Sequence, residues 1–293
     1  MLDFSEDLRK RASLVEEALE YLLPGPNAYP PLIHQAMRYS VMGGGKRLRP
    51  ALVMAGAEAV GGQIADVLPA ACAFELIHTY SLVHDDLPAM DNDDYRRGKL
   101  TSHKVYGEAT AVLTGDALLT MAFQLLAGSK GKAENILRVI QEAAIGAGTF
   151  GLIGGQVVDT LSEGNEFDEV TLNYIHRHKT GALYKVSVRA GAILAGAREE
   201  QLAALTGYAE NLGLAFQIKD DILDIEGDEN KIGKPVGSDT KNNKATYPAL
   251  FGLNKSRVKA RQAAERALAA LESFGAEAEF LRAMVDFVIE RDC

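Results

Sequence analysis

Apolar residues recur at three- and four-residue steps along most of this 293-residue chain, and this helical period constrains the fold more than any other feature. Leu8, Val15 and Leu19 follow the period in the first segment, and Pro24 ends it. The spacing predicts helices over about 5–23, 31–42, 51–60, 66–87, 109–127, 133–149, 169–195, 199–226, 245–252, 255–273 and 277–290. No stretch alternates apolar and polar residues between hairpin turns, and no linker or repeat divides the sequence. We therefore predict an all-α fold in which residues 1–293 form a single domain.

Charge and cysteine content exclude several classes of protein. Asp and Glu total 40 against 31 Lys and Arg, a formal net charge of −9, so we expect no nucleic-acid partner. Cys72 and Cys293 are too few for a disulfide framework, and the acidic N-terminus is unlike a signal peptide. No uninterrupted apolar run reaches about 18 residues. The sequence thus predicts a cytoplasmic protein without a membrane span.

Two acidic clusters follow strongly apolar helical segments. They consist of Asp85, Asp86 and Asp91, and of Asp220, Asp221 and Asp224. Residues four apart share a helix face, so Asp220 and Asp224 are expected one turn apart. Pro88 stops the first helix, and Asp91 is expected to return from a turn to meet Asp85. A solvated helix end explains one such cluster, but two clusters favour a cation that offsets the repulsion, and carboxylates without His or Cys suit Mg²⁺.

Short basic segments supply the complementary charge. A glycine turn leads into Lys46, Arg47 and Arg49, and Arg96 and Arg97 follow the first acidic cluster. Glycine lets backbone amides approach a phosphate, and arginine binds phosphate oxygens in bidentate fashion. Neither Gly45-Lys46 nor Gly233-Lys234 belongs to a P-loop, because Arg47 and Pro235 occupy the positions where a Ser or Thr is required. Acidic and basic segments together predict a magnesium-assisted site for a phosphate-bearing substrate.

These segments resemble, nearly throughout the chain, the motifs of the trans-prenyl diphosphate synthases. The matching motifs are Gly44-Gly45-Lys46-Arg47-Leu48-Arg49-Pro50, Glu75-Leu76-Ile77-His78, Asp85-Asp86-x4-Asp91, Arg96-Arg97-Gly98, Gly155-Gln156-x2-Asp159, Lys179-Thr180, Gln217-x2-Asp220-Asp221-x2-Asp224 and Gly233-Lys234-Pro235. The resemblance implies a large helical bundle around a central active-site cavity, and a homodimer. It also implies a transferase that condenses isopentenyl diphosphate with an allylic prenyl diphosphate.

The resemblance further implies a role for each matching side chain. Three Mg²⁺ ions, or Mn²⁺ as an alternative, would be held by Asp85, Asp91 and Asp220, with support from Asp86 and Asp224. The allylic diphosphate would be bound by Arg96, Lys179 and Lys234, with Thr180 and Gln217 near the carbocation and Asp159 orienting the site. Isopentenyl diphosphate would be bound by Lys46, Arg49, His78 and Arg97. The departed diphosphate would accept the proton, because no side chain stands out as a general base.

The residues one turn before Asp85 are expected to limit the length of the product. Ser81 is four positions upstream and nearly in register with Asp85, so helix geometry alone favours Ser81 as the cavity floor. The resemblance favours Tyr80, because an aromatic five positions upstream together with the insertion Pro88-Ala89 resembles bacterial farnesyl diphosphate synthases. We therefore predict farnesyl diphosphate as the product, with geranylgeranyl diphosphate as the alternative.

Two other activities are compatible with part of the pattern. A terpene cyclase also ionises prenyl diphosphates, but it needs no second diphosphate site such as the one implied for Lys46, Arg49 and Arg97. A regulatory subunit without activity of its own is disfavoured by the complete set of motif aspartates. A prenyl diphosphate synthase accounts for both features.

Overall fold

The structure, a computed structural model, describes residues 3–227 and 244–291, and helices dominate this part of the chain. The α-helices are α1 (Phe4–Leu22), α2 (Pro31–Val41), α3 (Leu48–Glu58), α4 (Ile64–Asp85), α5 (Ser102–Tyr106), α6 (Glu108–Ala127), α7 (Ala133–Ala147), α8 (Leu152–Ser162), α9 (Glu169–Ile175), α10 (Ala182–Leu194), α11 (Glu199–Glu226), α12 (Tyr247–Phe251), α13 (Leu253–Ala270) and α14 (Glu279–Glu290). A π-helical segment (His176–Gly181) joins α9 to α10, and a 3₁₀ turn (Ala276–Ala278) precedes α14. The predicted all-α class is confirmed.

Four local features differ from the predicted helix pattern. Helices α5 and α8 were missed, and the continuous helix expected over 169–195 contains the π-helical segment. A small antiparallel hairpin, β1 (Tyr95–Arg96) and β2 (Lys99–Leu100), follows the first acidic cluster. Its two turn residues, Arg97 and Gly98, have φ of 53° and 74°, as in the type I′ turns that favour hairpins. Strands of two residues are too short to show an alternating pattern in the sequence.

Direct backbone contact between α3 and α10 fixes the centre of the bundle. A Cβ added to Gly191 would collide with the carbonyl oxygen of Val53, and one added to Gly56 would collide with that of Val188. Both helices are almost completely buried. Because α3 carries Arg49 and α10 continues from the π-helical segment, this contact sets the distance between two groups of predicted site residues.

Two stretches are long and apolar enough to cross a membrane, judged by length and composition. They are Glu108–Ala127, which is α6, and Ala133–Ser162, which covers α7 and α8, each with a mean hydropathy of 1.4. Only 33% of each window is buried within this chain, so much of the apolar surface is exposed. Exposed apolar helix faces are also typical of interfaces between protein subunits. The absence of a membrane span therefore stays a prediction.

Candidate active site

The first acidic cluster lies at the C-terminal end of α4. The N–H of Asp91 donates to the carbonyl oxygen of Asp85 at 2.8 Å, so the chain returns to Asp85 as the sequence predicts. Asp86 is buried and accepts a hydrogen bond from Nε of Arg96 at 2.9 Å, while Arg96 also contacts Asp93 at 3.1 Å. Burial raises the pKa of Asp86, and the Arg96 guanidinium opposes that rise. Asp86 therefore holds Arg96, one of the predicted diphosphate ligands.

The second acidic cluster lies on α11 and lines a cavity of about 230 Å³. The predicted site residues around this cavity are Asp159, Lys179, Thr180, Gln217, Asp220 and Asp224, and Lys244 also lines it. Lys244 connects the two clusters, since its Nζ lies 3.5 Å from Oδ2 of Asp91. The two acidic clusters therefore face a common space.

Lys179 and Thr180 enter the cavity from the π-helical segment. Nζ of Lys179 lies 2.5 Å from Oδ2 of Asp159, and the Thr180 hydroxyl donates to Oε1 of Gln217 at 2.8 Å. Gly155 on α8 packs against the backbone of Lys179, where any Cβ would collide with the Lys179 nitrogen. The Gly155–Asp159 motif thus positions Lys179 both through its backbone and through its ammonium group. Segments of π-helix are frequent at functional sites.

Asp85 lies in an environment that disfavours its charged form. Burial raises the pKa of Asp85 to about 6, with Lys179 opposing the rise and Asp91 adding to it. A nearby cation would lower this pKa again, because it stabilises the carboxylate. The protein already places cations beside the other two predicted metal ligands: Lys244 beside Asp91, and Arg291, 2.6 Å from Oδ1 of Asp220.

The acidic side chains fit magnesium shared with a substrate better than a closed protein site. Their donors are carboxylate oxygens, which Mg²⁺ prefers and which it typically supplements with water and phosphate oxygens. Within residues 3–227 and 244–291, no three His, Cys, Asp or Glu side chains form a group close enough to hold a metal by themselves. Ligands from both clusters, together with a diphosphate, would have to complete the coordination.

The predicted isopentenyl diphosphate ligands lie near the N-terminus of α3. Arg97 donates to the carbonyl oxygen of Gly44, and Arg49 lies over the ring of Tyr184 at 5.3 Å. Burial, together with the charges of Arg49 and Arg97, lowers the pKa of His78 well below its ordinary value, so this imidazole is neutral at physiological pH. Lys46 remains exposed at the edge of this group. Arg49, His78 and Arg97 therefore lie close together and form one cationic surface, and Lys46 lies at its edge.

A buried ion pair beneath this surface was missed by the sequence reasoning. Arg47 donates to Oε1 of Glu75 at 2.6 Å and to the carbonyl oxygen of Val41 at 2.8 Å. Arg47 and Glu75 are 3% and 1% exposed. Arg47 therefore supports the glycine turn from within and is unavailable to a substrate. A single Glu75 within an otherwise apolar stretch of α4 was the available signal.

Tyr80 and Ser81, the two candidates for limiting the length of the product, both lie on α4. Tyr80 is buried and meets His84 edge to face at 5.9 Å, while the Ser81 hydroxyl donates to the carbonyl oxygen of His78 at 2.9 Å. Arg291, near the C-terminus, was not among the predicted site residues; it covers the ring of Phe216 at 4.0 Å and contacts Asp220. Lys234 lies outside the described residues.

Comparisons with known proteins agree with this architecture. The chain is 48% identical over 296 residues to a farnesyl diphosphate synthase of Geobacillus stearothermophilus, with 99% of each chain covered. It is 47% identical over 288 residues to a geranylgeranyl diphosphate synthase of Cyanophora paradoxa, covering 97% of this chain and 95% of the relative. The solved geranyltransferase of Helicobacter pylori, complexed with magnesium and isoprenyl diphosphate, superposes with a TM-score of 0.89 at 30% identity over 99% of each chain.

Helical fold and acidic cavity together define an isoprenyl diphosphate synthase, a prenyltransferase of the trans class. The polyprenyl synthetase family model matches residues 30–285, and the chain belongs to that family. The resemblance inferred from the sequence motifs is thereby confirmed.

Proposed function

We propose that this protein condenses isopentenyl diphosphate with dimethylallyl or geranyl diphosphate to give (2E,6E)-farnesyl diphosphate and diphosphate. One observation supports a site for two substrates. The two acidic clusters face one cavity, and the surface formed by Arg49, His78 and Arg97 lies beside it. Support for the C15 product comes from the buried, bulky Tyr80 less than two turns before Asp85. Relatives that make farnesyl and geranylgeranyl diphosphate are almost equally similar.

In the proposed mechanism the protein binds the leaving diphosphate more tightly as its charge grows. Magnesium bound by Asp85, Asp91 and Asp220 would supply charge neutralisation at the cleaved carbon–oxygen bond. Lys179 would turn from Asp159 toward the same oxygens, and Arg96 would add a second cation. The Thr180 and Gln217 oxygens would face the allylic cation. The isopentenyl double bond attacks this cation, and the departed diphosphate accepts the proton lost from the adduct.

The direct test is a product assay with purified protein, Mg²⁺, isopentenyl diphosphate and, in separate reactions, dimethylallyl diphosphate or geranyl diphosphate. We expect linear farnesyl diphosphate, detected by chain length after phosphatase treatment. Release of a cyclic hydrocarbon would instead identify a cyclase, and absence of any product with both allylic substrates would contradict the proposed function. Geranylgeranyl diphosphate as main product would contradict the C15 assignment alone. Repeating the assay with Mn²⁺ in place of Mg²⁺ tests the alternative metal.

Replacing Tyr80 by alanine is expected to shift the main product from C15 to C20 or longer, because the ring no longer blocks the growing chain. Chain-length analysis of the products measures the shift. Tyr80→Phe is the matched control and should keep the C15 product, since the Tyr80 hydroxyl has no hydrogen-bond partner in the described structure. Ser81→Ala should also leave the product unchanged. A longer product from Ser81→Ala alone would favour the residue that helix geometry selects.

We further propose a homodimer formed through α6, α7 and α8. Exposed apolar side chains on these helices and in the turn between α7 and α8 support an interface with a second copy of the chain: Val112, Leu113, Ile145, Phe150, Val157 and Leu161. A second copy of the chain packed on this surface would bury the apolar stretches of α6, α7 and α8, so their composition would not require a membrane. We propose a cytoplasmic location on the same ground.

Substituting Leu113 and Leu161 together by aspartate is expected to convert the dimer into a monomer, because four buried charges per interface would lack partners. Light scattering after gel filtration gives the mass. Tyr21→Asp is the matched control, since Tyr21 on α1 is 90% exposed and lies outside the proposed interface. A wild-type protein that is monomeric at micromolar concentration, or a double variant that stays dimeric, would contradict this interface.

A further inference from the structure

Asp221 is the middle aspartate of the second acidic cluster, and among the described residues three groups contact its carboxylate. It accepts hydrogen bonds from the Tyr247 N–H at 2.9 Å and from Nε2 of Gln217 at 3.2 Å, and it lies 3.4 Å from Nε2 of His176. Asp221 is only 3% exposed, whereas the Asp220 side chain is 40% exposed. The two neighbouring carboxylates therefore have different environments, although the sequence presents them as equivalent.

Each contacting group belongs to a different part of the site. Tyr247 is the first residue of α12, His176 begins the π-helical segment that carries Lys179 and Thr180, and Gln217 accepts the hydrogen bond of Thr180. The carboxylate of Asp221 thus links α11 to both other elements. An ionised carboxylate has no donor of its own, so Asp221 accepts the hydrogens of the Tyr247 N–H and the Gln217 amide.

The partners of Asp221 also contact one another. The rings of His176 and Tyr247 stack with centroids 5.2 Å apart and an interplanar angle of 17°, and the Tyr247 hydroxyl donates to Oδ1 of Asn173 on α9 at 2.7 Å. Nδ1 of His176 is buried without a hydrogen-bond partner in the described structure, whereas Nε2 of the same ring faces Oδ2 of Asp221 at 3.4 Å. Such a connected network holds its members in one arrangement.

We propose that Asp221 is a positioning residue that fixes the π-helical segment and the start of α12 relative to the second acidic cluster, and that it is not a magnesium ligand. Its role is to hold Lys179 and Thr180 where the allylic substrate reacts. The proposal rests on the proposed synthase function only for its kinetic readout. Its structural readout, the exchange of backbone hydrogens, is independent of any activity.

The test compares Asp221→Asn with Asp220→Asn. Asparagine keeps the size of Asp221 but presents an NH₂ group to at least one of the three contacting groups. We expect kcat to fall about 100-fold, since small displacements of reacting groups have effects of this size. The Mg²⁺ concentration for half-maximal activity should change less than twofold. In metal-free and substrate-free protein, the Tyr247 amide and residues 176–181 should exchange hydrogen for deuterium faster, by about tenfold.

Asp220→Asn is expected to give the opposite pattern, with a Mg²⁺ requirement raised at least tenfold and exchange at Tyr247 unchanged. His176→Leu is the second variant; it removes one contact of Asp221 while all six aspartates of the two clusters stay in place, and it serves if Asp221→Asn does not fold. It should lower kcat about tenfold and accelerate the same exchange. A raised Mg²⁺ requirement in Asp221→Asn, or unchanged exchange in the variant that folds, would overturn the proposal. If the wild-type protein makes no prenyl diphosphate, the proposed function fails while the exchange comparison still decides this inference.

Discussion

Asp85→Asn is expected to lower kcat by about a thousand-fold, equivalent to ~4 kcal/mol of transition-state stabilisation. The substitution replaces a carboxylate oxygen by an amide at the position where the end of α4 faces Lys179 and Asp91. An amide carries no charge with which to hold a divalent cation against the diphosphate. Steady-state rates over a range of Mg²⁺ concentrations measure both the loss of kcat and the raised metal requirement.

The same variant should be more stable than the wild type in the absence of metal. The folded-state pKa of Asp85 is about 6, above its ordinary value of 3.8, so ionisation of Asp85 reduces stability as the pH rises through this interval. Asparagine removes this cost, and at pH 8 we expect the free energy of unfolding to rise on the order of 1 kcal/mol. Urea titrations of metal-free protein measure it. A variant that keeps more than a tenth of wild-type kcat would contradict the role given to Asp85.

Asp66→Asn is the matched control for this experiment. Asp66 lies in the first turn of the same helix, is exposed, and pairs with Lys130 across 3.5 Å. Its loss should cost a few tenths of a kcal/mol, because surface ion pairs and charges at helix ends contribute little. The rate and the Mg²⁺ dependence should remain those of the wild type. Comparing Asp85→Asn with Asp66→Asn separates the effect of losing a carboxylate anywhere on α4 from the effect of losing one at the active site.

Glu75→Gln is expected to reduce the free energy of unfolding by about 3 kcal/mol, because it removes the buried partner of Arg47 and leaves only the half-exposed Glu16, 3.4 Å away. Glutamine has the size of Glu75 and keeps a hydrogen-bond acceptor, so the lost stability measures the effect of removing the negative charge of Glu75. Urea-induced unfolding followed by circular dichroism gives the difference. We also expect a higher KM for isopentenyl diphosphate, since Arg47 supports the turn before Arg49.

Two further variants test whether the pair acts as a unit. The double substitution Arg47→Met with Glu75→Leu should recover most of the lost stability, because replacing both partners leaves no buried charge. Glu199→Gln is the surface control; Glu199 meets Arg138 at 2.6 Å but is 73% exposed, so its loss should cost less than about 1 kcal/mol. Equal losses for Glu75→Gln and Glu199→Gln would show that burial has no special effect here.

Much of the architecture followed from local patterns. The helical period predicted most helices, and the boundaries of α11 were predicted to the residue because the pattern is unbroken over that length. The return of Asp91 to Asp85 followed from Pro88. The π-helical segment was missed because its composition is that of an ordinary helix, and the hairpin was missed because its strands are too short to show a period.

The sequence by itself determined the helical class, the identity of the acidic and basic motifs, and their family. Only the tertiary structure decided which side chain each charge meets: Arg96 with Asp86, Arg291 with Asp220, Arg47 with Glu75, and His176 with Asp221. The reason is physical. Helix formation and turn termination depend on neighbours within a few residues, whereas the partner of a buried charge depends on how distant helices pack, which a period of 3.6 residues leaves undetermined.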